Sequence, residues 1–471
     1  MKKLPGRMLA LIILLTIVLS ACGGGATPTE ALAPTEAPAA QPTAAPAEPT
    51  AAPAEPTEAP AEVPAEEVTL KVTDIWTRDE DSKVIDQLNL EFEEAHPGVT
   101  VERTVLVFED LRTTINLLLS NPDGPDVTMV NQGYGGMGPL VEAGLLEDLT
   151  PYAEQYGWKV PEGMNAQHSW TPDGKQFGTG NVYGMGPTIW EAGVFYRKDM
   201  FEDLGLAVPA TFAEFETALE TIKASGQTPI ILGNLDGLGG HHIYTALLYS
   251  HQNDRAYADG LIYGDPAAKW TDADGVWAAA KLQEWVEKGY FTEGFEGIEY
   301  GDQVSLFENG EGAMMLVGNW FGSTFAAGPI GDQLGFFLLP GNTAGGFKMV
   351  LGGTSLGYGI RAGSPNTELA AEYISWMASD RAAELWAGVE MLPTVGLADP
   401  SIVAEGTLMG DLVAALNEIV EKDEMGAFID WSTPTAFEVH MAAIQDLMAS
   451  RITPEEFGEA LQQDRDAFLG G

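Results

Sequence analysis

With 471 residues and 45% hydrophobic content, the chain is too long for one compact domain and apolar enough for real cores, so two lobes or two domains are expected. Acidic residues outnumber basic ones 69 to 23, a formal charge of −46; such a surface repels phosphate backbones and anionic headgroups, which argues against nucleic acid as a partner. The single cysteine, Cys22, excludes a disulfide within the chain.

The N-terminus reads as an address. "MKKLPGR" is basic, and "MLALIILLTIVLS" is an apolar run too short and badly flanked for a lasting membrane span. "LSAC" at Leu19 to Cys22 resembles the lipobox of bacterial lipoproteins. That resemblance implies a signal peptide over residues 1–22, cleavage before Cys22 and lipidation of its thiol, so that the membrane is reached through an anchor alone. Residues 23–66 are almost entirely Ala, Pro, Thr and Glu, with ten prolines. Such a segment has nothing to bury and is expected to be a disordered stalk. At roughly 3.1 Å per residue in polyproline geometry it reaches on the order of 100 Å.

Periodicity begins after the stalk. "VTLKVTDIW" (Val68 to Trp76) alternates as a strand, "SKVIDQLNLEFEEAH" places Val84, Ile85, Leu88, Leu90 and Phe92 close to helical spacing, and "GVTVERTVLV" is a second strand. "LRTTINLLLS" continues as a helix, "DVTMV" as a short buried strand, and "GPLVEAGLLEDL" as a helix ending near Gly144. This alternation predicts α/β lobes with mainly parallel sheets. Further helices are expected over "TFAEFETALETIKASG", with Thr211 as N-cap and Glu214 completing a capping box, then "DGVWAAAKLQEWVEKG", "NTELAAEYISWMAS" and the C-terminal "TPEEFGEALQQDRDAFL".

Three long segments in this order resemble the extracellular solute-binding proteins of ABC importers, the sugar-binding family that includes maltose-binding proteins. They are "NVYGMGPTIWEAGVFYRKDMFEDLGLAVPATFAEF", "LFENGEGAMMLVGNW" and "GGTSLGYGIRAGSPNTELAAEYISWM". The resemblance covers nearly all of Val68 to Leu469. It implies a two-lobed type II periplasmic-binding-protein fold over residues 67–471, with a ligand cleft between lobes joined by hinge segments. The N-lobe is expected at about 67–190 plus a return segment at about 350–380, and the C-lobe at about 191–349 plus the C-terminal helices. It also implies a monomer outside the cytoplasm that hands a carbohydrate to the transmembrane subunits of an ABC permease, with no cofactor and no catalysis.

A sugar presents hydroxyls at its rim and C–H bonds on its faces, so its site needs flat aromatic surfaces beside short polar groups. In "GNW", Trp320 and Asn319 supply both, and the family match puts a ligand-stacking tryptophan at Trp320; its replacement by alanine is expected to leave the fold intact. Trp76 closes the first strand, followed by Thr77, Arg78 and Asp79 in a loop of the kind that faces a cleft. Asn131 and Gln132 follow "DVTMV" in the same way. Trp190 and Glu191 precede the hinge-crossing strand, Thr354 and Ser355 lie in the return segment, and Asp236, His241 and His242 open a helix whose amides could meet a ligand. Trp431 and Phe437 are expected to cover the cleft. Arg78 is the only basic residue in this set, which argues against anionic ligands.

Other motifs carry less. "GYGGMG" at Gly133 to Gly138 fits a dinucleotide fingerprint, but its strand is not the first of a sheet, and one match among 55 glycines is expected by chance. "GTSLG" fits the serine-hydrolase elbow at Ser355, yet the chain runs on extended where that elbow needs a helix. No metal site is expected: His241 and His242 are adjacent and diverge on a helix, and "TDADG" is only a fragment of a calcium loop. Two alternatives stay open, a secreted glycosidase and a binding protein for a cationic small molecule held by aromatics and carboxylates.

Overall fold

The computed structural model describes residues 67–470. The signal peptide, the lipidation site Cys22 and the stalk lie outside the described residues. Among the described residues no helix is long and apolar enough to cross a membrane.

The strands in chain order are β1 (Val68–Asp74), β2 (Val99–Val105), β3 (Val127–Val130), β4 (Ser169–Trp170), β5 (Asn181–Val182), β6 (Thr188–Arg197), β7 (Met314–Gly318), β8 (Leu334–Phe337), β9 (Val350–Thr354), β10 (Gly357–Ile360), β11 (Leu392–Pro393) and β12 (Met425–Gly426). They form two main sheets. The first runs β10-β3-β1-β2; β1 is parallel to β2 and β3, while β10 is antiparallel to β3. The parallel pairs follow from β-α-β connection: the Asp79–Ala95 helix returns the chain over the sheet. That helix buries Val84, Ile85, Leu88 and Phe92 but leaves Leu90, two residues round from Leu88, exposed; it carries Asp79, Glu80 and Asp81 in its first turn, where acidic groups suit the helix dipole.

The second sheet departs from the expectation of mainly parallel pairing. It is built around β6, which is antiparallel to β7, β8, β9 and β11, and only β9 with β12 is parallel. The reason is that β6 spans two surroundings. Its first half (Ile189 to Glu191) pairs with β9, and its second half (Ala192 to Arg197) is sandwiched between β7 and β8.

Two segments connect the sheets side by side. Met185 bridges Tyr358 and Ile189 pairs with Thr354, so the outgoing 185–189 stretch and the returning 354–358 stretch run antiparallel. Gln132 ties them to the first sheet, its amide donating to the carbonyls of Thr354 (3.3 Å) and Ser355 (3.2 Å). After β10 the Thr367–Met377 and Asp380–Ala387 helices pack on the Asp79–Ala95 helix. The chain then crosses once more through β11 to the Leu408–Lys422 helix against β8. β9 thus belongs to the second sheet, and the return to the first begins at β10.

The capping box at Thr211 is half as expected. Thr211 accepts from Glu214 N–H (3.2 Å), but the Glu214 carboxylate takes the N–H of Ala210 rather than that of Thr211. The reciprocal box forms instead at Thr453 and Glu456.

Candidate functional site

A cavity of about 260 Å³ lies where the C-terminal ends of β1, β3 and β7 meet the crossing segments. This is where open α/β sheets bind ligands.

From the first sheet, Trp76 presents an edge and is otherwise buried against Trp386, ring centroids 4.7 Å apart, its Nε1 donating to the Tyr358 hydroxyl (3.1 Å). Asn131 and Gln132 follow β3 into the wall. Thr354 lines the crossing; its hydroxyl pairs with Nε2 of His168, which burial holds neutral by lowering its pKa to about 3.

From the second sheet the wall is aromatic. β7 ends at Gly318, and the next residues turn in a short 3-10 helix that carries Trp320 back across the strand end. Trp320 is 7% exposed, donates Nε1 to the Tyr300 hydroxyl (3.0 Å), and lies 5.5 Å from Trp190 and 5.2 Å from His242, centroid to centroid. Phe428 and Trp431 pack at 4.9 Å behind them. Trp431 rests on Gly133, where a Cβ would stand 2.3 Å from its side chain. Packing alone therefore explains the glycine at 133, without a phosphate-binding role. Indole Nε1 of Trp190 is buried without a hydrogen-bond partner.

The rim is fastened across both walls. Arg78 pairs with Asp81 (3.0 Å) and lies 4.5 Å above the Phe321 ring, and Asp81 accepts from Ser323 Oγ (2.6 Å). Arg112 pairs with Glu438 (2.6 Å) and covers Phe437 at 4.4 Å. Arg78 is thus the one cation in the wall among the described residues, and it is already paired.

Eleven sequence-derived candidates converge here: Trp76, Thr77, Arg78, Asn131, Gln132, Trp190, His242, Trp320, Thr354, Trp431 and Phe437. Six do not. Ser355 is buried in the crossing, its Oγ accepting from Thr188 N–H (3.4 Å). Asn319 is buried and brackets β6, accepting from Glu191 N–H (3.0 Å) and donating to the Ile189 carbonyl (3.1 Å). Glu191 follows Trp190 on a strand and so takes the opposite face, 0% exposed with neither carboxylate oxygen bonded; burial raises its pKa well above the usual range. Asp79 is an exposed first residue of its helix, and Asp236 is exposed one residue ahead of the Gly237 N-cap, accepting from Leu238 N–H (3.0 Å). His241 points away from the cavity, as its neighbour His242 lines it. Trp320 itself is more deeply packed than a free stacking platform, so its removal costs stability as well as contacts. Sequence reasoning passed over Tyr300, Phe321, Phe428 and Asp430. Asp430 adjoins Trp431, the signal that could have found it, whereas Tyr300 sits in a loop with no periodicity.

The family model for bacterial extracellular solute-binding proteins matches residues 77–384. The chain belongs to that family. Its curated relatives include the multiple sugar-binding protein of Streptococcus mutans, 24% identical over 316 residues (64% of this chain and 70% of the relative), and an uncharacterized ABC transporter extracellular-binding protein of Pyrococcus horikoshii, 28% identical over 356 residues (72% and 71%). Among solved structures, a chitin oligosaccharide binding protein aligns with a TM-score of 0.74 at 22% identity, covering 86% of this solute-binding protein and all of the other chain. The two sheets joined by crossing segments are therefore the two-lobed type II fold of the family, with the aromatic cavity in its cleft.

Proposed function

We propose that this solute-binding protein captures a neutral carbohydrate between its lobes and delivers it, unchanged, to an ABC permease. The observation that carries the reading is the Trp190–Trp320 pair, 5.5 Å apart and inclined at 58°, with Asn131, Gln132 and Asp430 lining the same cavity. Indole faces match C–H faces of a sugar ring, and the polar groups match its hydroxyls. The names of the sugar-binding relatives support the same ligand class. A cavity of about 260 Å³ falls just below the roughly 300–1,000 Å³ typical of ligand sites, which suits a short saccharide over a long chain.

In this reading the N-lobe holds the first sheet and the helices between β10 and β11, and the C-lobe holds the second sheet and the C-terminal helices. Closure bends the paired 185–189 and 354–358 segments and brings Arg78 and Arg112 onto Phe321 and Phe437. The protein sits outside the cytoplasm as a monomer, held to the membrane through lipid on Cys22 and the 23–66 stalk. A thermal-melt screen of neutral mono- and oligosaccharides tests this: a ligand at about 100 times its Kd adds about 2.7 kcal/mol. Stabilisation by no carbohydrate, or by phosphorylated compounds alone, would refute it.

A further inference from the structure

Asp430 is the one acidic residue in the cavity wall among the described residues. It is 9% exposed, and the donor beside its carboxyl is its own backbone N–H. Nε2 of His241 stands 3.9 Å from Oδ1, too far for a hydrogen bond. A carboxyl in this position lacks the donors that a buried carboxylate needs, while its open side faces the ligand space.

The groups around it do not supply a counter-charge. From the Leu238–His251 helix come His241 and Tyr249, the tyrosine hydroxyl being spent on the Ala427 carbonyl. His440, from the Ala436–Met448 helix, places Nδ1 3.4 Å from His241 Nε2. Desolvation lowers the pKa of both histidines, so they are neutral near pH 7. Arg112, across the cleft, favours the carboxylate and its ion-pair partner Glu438 opposes it. Burial dominates and holds the Asp430 carboxyl up at about 7.

We infer that ligand binding at this site expels a proton from Asp430: a ligand hydroxyl donates to the carboxyl, favours its ionised form, and the acidic proton passes to solvent. The proton is balanced in one step, carboxylic acid to carboxylate with one proton released, and no other bond changes. This rests on the carbohydrate reading above and adds to it a specific partner for a sugar hydroxyl and a pH dependence. The sign follows from linkage. Binding lowers the pKa of Asp430 below its free value, so affinity rises with pH and levels off once the free carboxyl is ionised.

The test is calorimetry of the full chain with chitobiose, raffinose, xylobiose and maltotriose, from about pH 5 to about pH 8, in two buffers of different ionisation heat. For any sugar that binds, we expect affinity to climb with pH by up to about tenfold per unit, with proton release reported by the difference between buffers. Asp430→Asn, equal in size, is expected to bind more weakly above about pH 7 and to lose both the slope and the proton release. A wild-type affinity that is flat with pH, or a slope retained in Asp430→Asn, would overturn the inference while leaving carbohydrate capture intact. Should Asp430→Asn fail to fold, the wild-type slope and two-buffer comparison decide alone. Stronger binding of chitosan disaccharide than of chitobiose would assign the donor to an ammonium and overturn the hydroxyl. Binding of none of the sugars would overturn this inference together with the function on which it rests.

Discussion

Gly318→Ala is the most informative single change at the site. Gly318 ends β7 with φ −81° and ψ 160°, a conformation alanine adopts without strain. The space is the obstacle. An added Cβ would stand 1.9, 2.1 and 2.3 Å from three atoms of the Trp320 ring, where ordinary contact begins at 3.4 Å. The indole has to retreat, and its 3.0 Å hydrogen bond to Tyr300 and its packing against Trp190 go with it. Overpacking of this kind costs about 1–3 kcal/mol. With unfolding entropy near 2.1 cal/mol/K per residue over roughly 400 residues, Tm falls by only about 1–4 °C. Ligand affinity suffers more, since displacing a central aromatic anchor typically costs about 2 kcal/mol or more, roughly thirtyfold. Thermal melts and calorimetry on the same samples separate the two effects. Affinity within about twofold of wild type, with the melt lowered as expected, would show that the Trp320 face is packing and not ligand surface.

Glu191→Gln is expected to stabilise the fold increasingly with pH. The folded carboxyl has its pKa raised by burial, so ionisation favours the unfolded chain; the gap in Tm should open above about pH 4.5 and stop widening once Glu191 ionises in the fold. A gap that is constant with pH would contradict the unpartnered burial of its oxygens. Lys348→Met strands the wholly buried Glu424, which Lys348 now pairs at 3.2 Å, and should cost about 3–5 kcal/mol in denaturant unfolding. Trp320→Ala should both weaken ligand binding and lower stability by about 3–5 kcal/mol, as expected for a packed tryptophan that leaves Tyr300 unpaired; an unchanged melt would favour an exposed platform.

Much of the fold could be read from local pattern, because β1 and the Asp79–Ala95 helix bury residues at the spacing their sequence displays, and β2 alternates half-buried with exposed residues as its sequence does. The second sheet could not. Whether β6 meets its neighbours parallel or antiparallel depends on where the chain returns from, and nothing in "TIWEAGVFYR" records that. The site divides in the same way. Residues at strand ends, such as Trp76, Asn131 and Gln132, follow from the rule that ligands bind beyond the carboxyl ends of strands. Those brought in from distant loops, Tyr300 above all, are joined to it only by tertiary packing. Side-chain direction accounts for the misassigned pairs. In Trp190–Glu191 and His241–His242 adjacent residues diverge, and only one of each reaches the cavity. Asn319 shows a third pattern: a polar group next to a ligand-facing residue whose amide is consumed in holding the neighbouring strand.

The proposed function is capture of a neutral carbohydrate without turnover. Calorimetric titration of the full chain with a panel of such sugars, followed by chromatography of the recovered ligand, tests it most directly. Expected are saturable binding of one sugar per chain, a negative heat-capacity change from burial against the indoles, and the sugar recovered intact. Binding of no carbohydrate, or recovery of a cleaved one, would contradict it.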